Sequence, residues 1–263
     1  MIRRLESAGR RATSSIRALP DFIVIGAPRS GTTSLWKHLS SHPGVIPALR
    51  KELHYFDHRF ERGLPWYRAH FPLRRSLRDG RITGEATPQY LGFPGVPARV
   101  RSVVPSAKLV VLLRNPIERT FSAWQLKVRE GIEELDFERA LEQEEARLAK
   151  PSRRPGADMR YAYKAKSRYA EQLEAWFEHF PRNQMLVLKS EDLFDDGAQP
   201  LSELYRFLEI PIDAGTASNA RIPTANASPT ASSMDDRTRA ELASYFEPHN
   251  RRLYELLGRD FGW

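Results

Sequence analysis

The chain has 263 residues, enough for one α/β domain with a sizeable core, and its 41% hydrophobic and 28% charged content is that of a soluble globular protein. It contains no cysteine, which excludes disulfides and thiolate-bound zinc or iron–sulfur centres. The net charge of +8 admits an acidic substrate, but residues 1–20 alone hold five arginines against one glutamate, so the excess gives little support for a nucleic-acid function.

Residues 1–20 are expected to form a flexible basic tail, and 21–263 a single domain. No stretch approaches the roughly 20 apolar residues of a membrane span, and the arginine-rich start lacks an apolar secretory segment. A cytoplasmic protein is the expectation.

Along the chain, Asp21-Phe22-Ile23-Val24-Ile25-Gly26 is an apolar run ending in glycine, and Leu35, Trp36 and Leu39 then recur at helical spacing over 32–41. This predicts strand, glycine loop, helix. The same grammar returns at Lys108-Leu109-Val110-Val111-Leu112-Leu113, followed by Arg114-Asn115-Pro116 and a helix to about Val128, since proline suits a first helical turn. A third strand is expected over 184–188 and helices over 136–149 and 167–180. Loops are expected over 150–166 and 211–234, then a helix from Asp235 or Asp236 with another turn over 253–257. Strands alternating with helices imply one α/β domain of the P-loop NTPase-like kind, a central parallel sheet flanked by helices, with ligands at the carboxyl ends of the strands.

The loop GAPRSGTT, residues 26–33, keeps the G-x-x-x-x-G spacing of a phosphate-binding loop but has Thr32 where a nucleotide-hydrolysing loop has lysine. Its one cation is Arg29. Backbone amides and hydroxyls at a helix start make an anion site. Without the lysine, and without a strand ending in an exposed aspartate to hold magnesium, transfer of a terminal phosphoryl group is not expected.

APRSGTTSL, KELHYFD, GEATPQYL and LLRNPIERTFSAW occur in this order, joined by SRYAEQLEAWFEHFP…LVLKSEDL and YFEPHNRRLYELLGRDFGW. Together they resemble the sulfotransferase family that uses 3′-phosphoadenylyl sulfate, its bacterial members and its heparan sulfate sulfotransferase-like branch. The resemblance implies that Arg29, Ser30, Gly31, Thr32 and Thr33 bind the donor's 5′-phosphosulfate, with Arg29 stabilising charge on the leaving phosphate. It implies that Arg114 and Ser122 hold the 3′-phosphate and that adenosine 3′,5′-bisphosphate is the product. It also makes Glu52 the general base, with His54 and Asp57 near it, and puts Lys51, Asp57, Thr87 and Tyr90 on the acceptor side.

If Lys51 to Phe56 is extended, Glu52 and His54 point the same way. The plainer reading of Glu52 is a surface ion pair with Lys51 or Arg50, and of His54 a hydrogen-bonded structural histidine. Two departures from the glycosaminoglycan-acting branch stand out. Ala86 occupies the position of a substrate-gripping lysine, and Thr33 that of an arginine. No glycine-and-basic loop is evident in 226–234, and Asn226-Ala227-Ser228 matches a glycosylation acceptor that has no meaning without export. The histidines look too scattered for a metal site, so no metal is expected. The acceptor is expected to be a carbohydrate or small natural product; a catalytically inactive nucleotide- or polyanion-binding protein is the alternative.

Overall fold

The structure, a computed structural model, describes residues 9–150, 158–211, 222 and 234–263. Its core is a five-stranded, wholly parallel sheet of order β2-β3-β1-β4-β5, comprising β1 (Phe22–Gly26), β2 (Val45–Pro47), β3 (Ile82–Ala86), β4 (Lys108–Leu113) and β5 (Met185–Lys189). The expected strands are thus joined by two that a pattern search passes over. β2 is three residues long, and β3 reads ITGEA, with a glycine and a glutamate in five positions. Gly84 admits the Phe22 ring of β1, because a Cβ there would lie 2.5 Å from it.

Alternation along β1 and β4 divides the interior in two. Ile23, Ile25, Leu109, Val111 and Leu113 face one layer with Tyr169, Leu173 and Trp176, while Phe22, Val24, Val110 and Leu112 face the other with Leu35, Leu39, Leu201 and Leu204. With both faces covered, these strands read as unbroken apolar runs. The covering helices are α1 (Thr32–Ser41), α2 (Tyr55–His58), α3 (Gly63–Arg68), α4 (Val96–Val103), α5 (Pro116–Arg129), α6 (Phe137–Glu142), α7 (Glu144–Leu148), α8 (Tyr169–Phe177), α9 (Ser190–Asp195), α10 (Ala198–Leu208) and α11 (Asp236–Leu257). No helix among the described residues is long and apolar enough to cross a membrane.

Several boundaries differ from expectation for physical reasons. Residues 9–20 are packed onto the body rather than trailing as a tail. Arg10 donates from Nε to the Ala69 carbonyl (2.6 Å), Arg17 donates from Nη1 to that of Phe71 (2.9 Å), and Ala18 is buried. Residues 1–8 lie outside the described residues. The helix expected over 136–149 breaks at Gln143, because Glu144 turns inward to accept the amides of Lys164 and Ala165, both at 2.8 Å. The two C-terminal helical pieces are one helix: Leu242, Phe246, Asn250 and Leu253 keep a single buried face that carries it through Pro248. Within the expected loop 150–166, Asp158–Tyr161 and Ala165–Ser167 form 3-10 turns. Residues 151–157, and those of the loop expected over 211–234 apart from 211, 222 and 234, lie outside the described residues, as does Asn226-Ala227-Ser228.

Candidate active site

The carboxyl ends of β3, β1 and β4 are neighbours, and the loops that leave them meet. After β1 the chain turns through Gly31 at φ 87°, where a Cβ would also lie 2.4 Å from the Phe194 ring, so glycine is required twice over. The Ser190 hydroxyl donates to the Ser30 carbonyl (2.9 Å), fixing the loop from β5. α1 starts at Thr32, so the amides of Thr32 and Thr33 precede the first intrahelical acceptor and give the loop a positive end. Thr32 and Ser30 are buried, while Gly31 and Thr33 are partly open.

Arg29 reaches across this loop, and its Nε donates to Ser122 Oγ (3.1 Å), while Arg114 Nη1 donates to the Arg29 carbonyl (3.4 Å). Residues separated by 85 and 93 positions in sequence are therefore one cluster. Local features hold it. Asn115 caps α5 by accepting the Ile117 amide (3.0 Å), its own amide donates to Glu191 (2.8 Å), and Tyr169 Oη donates to the Arg114 carbonyl (2.8 Å). Burial, then the charges of Arg129 and Arg114, push the Arg29 pKa down. Like charges crowded at a partly desolvated loop are relieved by an anion.

The second half of the site is the segment 51–58. It is not the extended strand expected. Glu52 and His54 both take left-handed backbone, φ 60° and 52°, and α2 begins immediately after. Arg29, at φ 73°, shares that conformation, so three of the five described non-glycine residues with positive φ are the three catalytic candidates. Such conformations each cost on the order of 1–3 kcal/mol and concentrate at functional sites. The Glu52 amide is tied to the Ala86 carbonyl at the end of β3 (2.8 Å), which sets the segment beside the glycine loop's neighbour strand.

Although alternation does not align them, Glu52 and His54 face each other: His54 Nε2 lies 3.8 Å from Glu52 Oε2, and its Nδ1 is 2.7 Å from Asp57 Oδ2. The expected ion pair of Glu52 is present as well, with Lys51 Nζ 2.8 Å from Oε1. The bond to His54 and the Lys51 ammonium together hold Glu52 down to about 2, against the opposing effect of burial. Asp57 and then Glu52 hold His54 up to about 9. At neutral pH Glu52 is therefore a carboxylate and His54 an imidazolium.

Three acceptor-side expectations change. The Asp57 side chain has no exposure; one oxygen meets His54 and the other accepts the His58 amide at 2.7 Å. Thr87 and Tyr90 are fully buried and form no open wall. Thr87 Oγ1 donates to Glu85 Oε2 (2.8 Å), and Tyr90 Oη accepts the Tyr55 amide (2.8 Å) at the start of α2. All three therefore support the base segment from behind. Lys51 keeps partial exposure.

The centre of that support, Glu85, escapes a sequence reading because it stands inside a strand that one also misses. It is wholly buried; Tyr67 Oη donates to its Oε1 (2.6 Å) and Tyr90 Oη approaches the same oxygen (3.5 Å). Burial dominates the two main hydrogen bonds and raises its carboxyl to about 7. A glutamate in an otherwise apolar or small-residue run is the signal that could have found it. The expectation that histidines are scattered also needs correction, since His54, His58 and Asp57 place their donor atoms within 4.8 Å of one another.

Comparison with known proteins agrees with this geometry. Residues 19–222 match the family model described as the sulfotransferase domain. The chain is 31% identical to human heparan sulfate glucosamine 3-O-sulfotransferase 3B1 over 95% of its own length, and 28% identical to the membrane-associated sulfotransferase kil1 of Dictyostelium discoideum over 93%. It spans 66% of the length of each of these relatives. The crystal structure of a sulfotransferase from Alicyclobacillus acidocaldarius superposes with a TM-score of 0.71 at 30% identity, covering 93% of this chain and 98% of that one. A parallel sheet with a lysine-free phosphate loop, an arginine and a serine brought onto that loop from the next strand and helix, and a family match running across all of them establish that the chain belongs to the sulfotransferase family.

Proposed function

We propose that the chain transfers a sulfonate group from 3′-phosphoadenylyl sulfate to a hydroxyl or amine of an acceptor, leaving adenosine 3′,5′-bisphosphate. The observation that carries the reading is the convergence of Arg29, Arg114 and Ser122 at the ends of β1 and β4, with the Glu52–His54–Asp57 row at the end of adjacent β3. Arg29, Ser30, Gly31, Thr32 and Thr33 would hold the 5′-phosphosulfate, and Arg114 with Ser122 the 3′-phosphate. The crowded guanidinium charges fit such a polyanion.

When bound, the donor supplies an activated sulfonate on a phosphate leaving group. Arg29 and the loop amides hold the negative charge that gathers on that phosphate; a guanidinium does this electrostatically and is a poor proton donor. Glu52, ionised at neutral pH, takes the acceptor's proton. A carboxylate held near 2 is a weak base, which suffices because the acceptor oxygen becomes acidic as its new bond forms. His54 and Lys51 orient the two oxygens of Glu52, and Asp57 orients His54.

The relatives' names make a carbohydrate the first acceptor class to test, with small natural products second. Ala86 is buried in the sheet, so this chain lacks the lysine grip at that position. The lack of cysteine suits a bacterial, cytoplasmic setting. One observation favours a second reading, a nucleotide-binding protein without turnover: the Lys51–Glu52 ion pair occupies one oxygen of the base. Titration of the full chain with adenosine 3′,5′-bisphosphate, and separately with ATP and magnesium, followed by incubation with labelled donor and a panel of acceptors, tests both. The first reading expects selective binding of the bisphosphate and labelled product. Equal binding of the two nucleotides would remove it, and selective binding with no labelled acceptor would leave the second.

A further inference from the structure

The segment that carries the base also carries a histidine for which sulfonate transfer has no use. His58, at the end of α2, has a side chain 47% exposed, and its Nε2 points at Asp57 Oδ2 from 3.8 Å. Its ring meets Phe93 edge-on at 5.0 Å and lies 5.6 Å from the ring of His54. The same Asp57 oxygen takes His54 Nδ1 at 2.7 Å from its other side. Three potential metal ligands, two imidazole nitrogens and one carboxylate oxygen, thus share one point, all within 4.8 Å of one another.

We propose that His54, Asp57 and His58 bind a divalent transition-metal ion of the zinc class, and that the bound ion inhibits the enzyme. Around a tetrahedral ion with bonds of about 2.0–2.1 Å, neighbouring ligand atoms lie roughly 3.3 Å apart. Two of the three separations, 2.7 and 3.8 Å, bracket that value and the third lies within 4.8 Å, so side-chain shifts of about half an ångström to 1.5 Å would admit the ion where the His54–Asp57 hydrogen bond now runs. Two nitrogens and one oxygen favour zinc, nickel or copper over magnesium or calcium.

The surroundings are those of a built site. Asp57 is fixed by the His58 amide on its second oxygen (2.7 Å), and the Arg99 guanidinium holds the α2 backbone at the Phe56 carbonyl (2.7 Å). His54 would meet the ion through Nδ1 while its Nε2 faces Glu52 Oε2 at 3.8 Å. This is the carboxylate–histidine–metal order that orients a ligating ring. The exposed edge of His58 provides entry.

Inhibition arises from competition for the same atoms. An ion on His54 and Asp57 replaces the proton that ties them and turns the imidazolium into a metal-bound imidazole set to the ion's geometry, so the ring that still faces Glu52 no longer holds its carboxylate in the position that takes the acceptor's proton. The inhibitory half of this inference rests on the sulfotransfer reading; metal binding does not.

The test uses the full chain, stripped with EDTA and titrated with zinc by calorimetry, with cobalt absorption as a second readout of tetrahedral coordination. One ion per chain is expected, and His58→Ala, with His58→Gln as a second variant should the first fold poorly, should weaken binding by roughly tenfold or more. Without metal both variants should turn over like the wild type, and the zinc concentration that halves activity should rise by the factor seen in binding. Absence of saturable binding, or binding equal in wild type and both His58 variants, would overturn the site. Binding that depends on His58 while turnover is indifferent to zinc would overturn the inhibition. Should no acceptor ever be sulfonated, the calorimetric result still decides the site.

Discussion

The two halves of the candidate site are built on different principles. On the donor side, β1 and β4 each run into a loop and a helix, and the functional groups lie where that grammar puts them: amides at the start of α1, Arg114 at the end of β4, Ser122 inside α5. On the base side, residues 51–54 have no regular structure. Glu52 and His54 hold left-handed backbone, and the segment is kept in place by Tyr90 and Glu85 beneath it. The donor half is thus a recurrent local geometry, and the base half depends on a buried polar network that only tertiary packing creates. The contrast teaches that the glycine-loop side is placed mainly by strand and helix geometry, while the Glu52 side is placed mainly by packing against buried polar side chains.

The sharpest way to break the contrast is Glu52→Gln. If the base side does only chemistry, donor binding should remain within about twofold while turnover falls by roughly 10²–10⁴, the range of general-base catalysis. Calorimetry with adenosine 3′,5′-bisphosphate and a labelled-transfer assay give the two numbers. Unchanged turnover would take Glu52 out of the base role and leave its ion pair with Lys51 as its function.

The buried network makes a pH-dependent prediction. Glu85 titrates near 7 when folded, against 4.5 for an ordinary glutamate. Its folded pKa is raised, so its favourable contribution is complete below about 4.5 and is lost as pH rises through 7. That window corresponds to roughly 3 kcal/mol at most. Glu85→Gln stays neutral throughout, so wild type should lose stability relative to the variant between about pH 5 and 8.5. Denaturant melts of both proteins at the two pH values measure this difference, in which groups that do not act on Glu85 cancel, while His54 and Asp57, whose charges act on it, remain part of it. A difference independent of pH would mean that Glu85 is ionised in the folded state.

These two experiments also mark how far the sequence is legible. The glycine loop and the places of Arg114 and Ser122 in the fold can be read because apolar runs of five or six residues announce β1 and β4, and because the loop leaving a parallel strand is positioned by that strand; the donor roles of the two residues come from the family resemblance. Glu52 and His54 can be named from their motif, yet the extended backbone expected for them is wrong, since positive φ at non-glycine residues leaves no propensity signal. The burial of Thr87 and Tyr90, placed on the acceptor side by the resemblance, is not legible because β3, with Gly84 and Glu85 in its five positions, does not resemble a buried strand. His58 gives no signal of its own, since its meeting with His54 is made by a single four-residue helical turn.

On the donor side the effects should be smaller and confined to binding. Arg114→Ala should weaken adenosine 3′,5′-bisphosphate by roughly tenfold to a hundredfold, the loss of a charge-assisted contact of about 1.5–3 kcal/mol, and should leave binding of adenosine 5′-phosphate nearly unchanged. Equal losses for the two nucleotides would assign Arg114 to the glycine loop, which it also touches through the Arg29 carbonyl, instead of to the 3′-phosphate.

The smallest effect separates position from contact. Asn115 touches no expected ligand atom; it caps α5, through the Ile117 and Glu118 amides, and is itself held by Glu191. Asn115→Ala removes the cap and should cost about 1 kcal/mol in a denaturant melt. Its own amide still reaches Glu191, and Tyr169 still holds the Arg114 carbonyl at 2.8 Å, so the loop keeps two of its restraints. Bisphosphate affinity should therefore fall by no more than a few-fold. A loss as large as that of Arg114→Ala would show that the helix start, rather than the strand, sets the arginine, and the donor half would then depend on single side chains as the base half does.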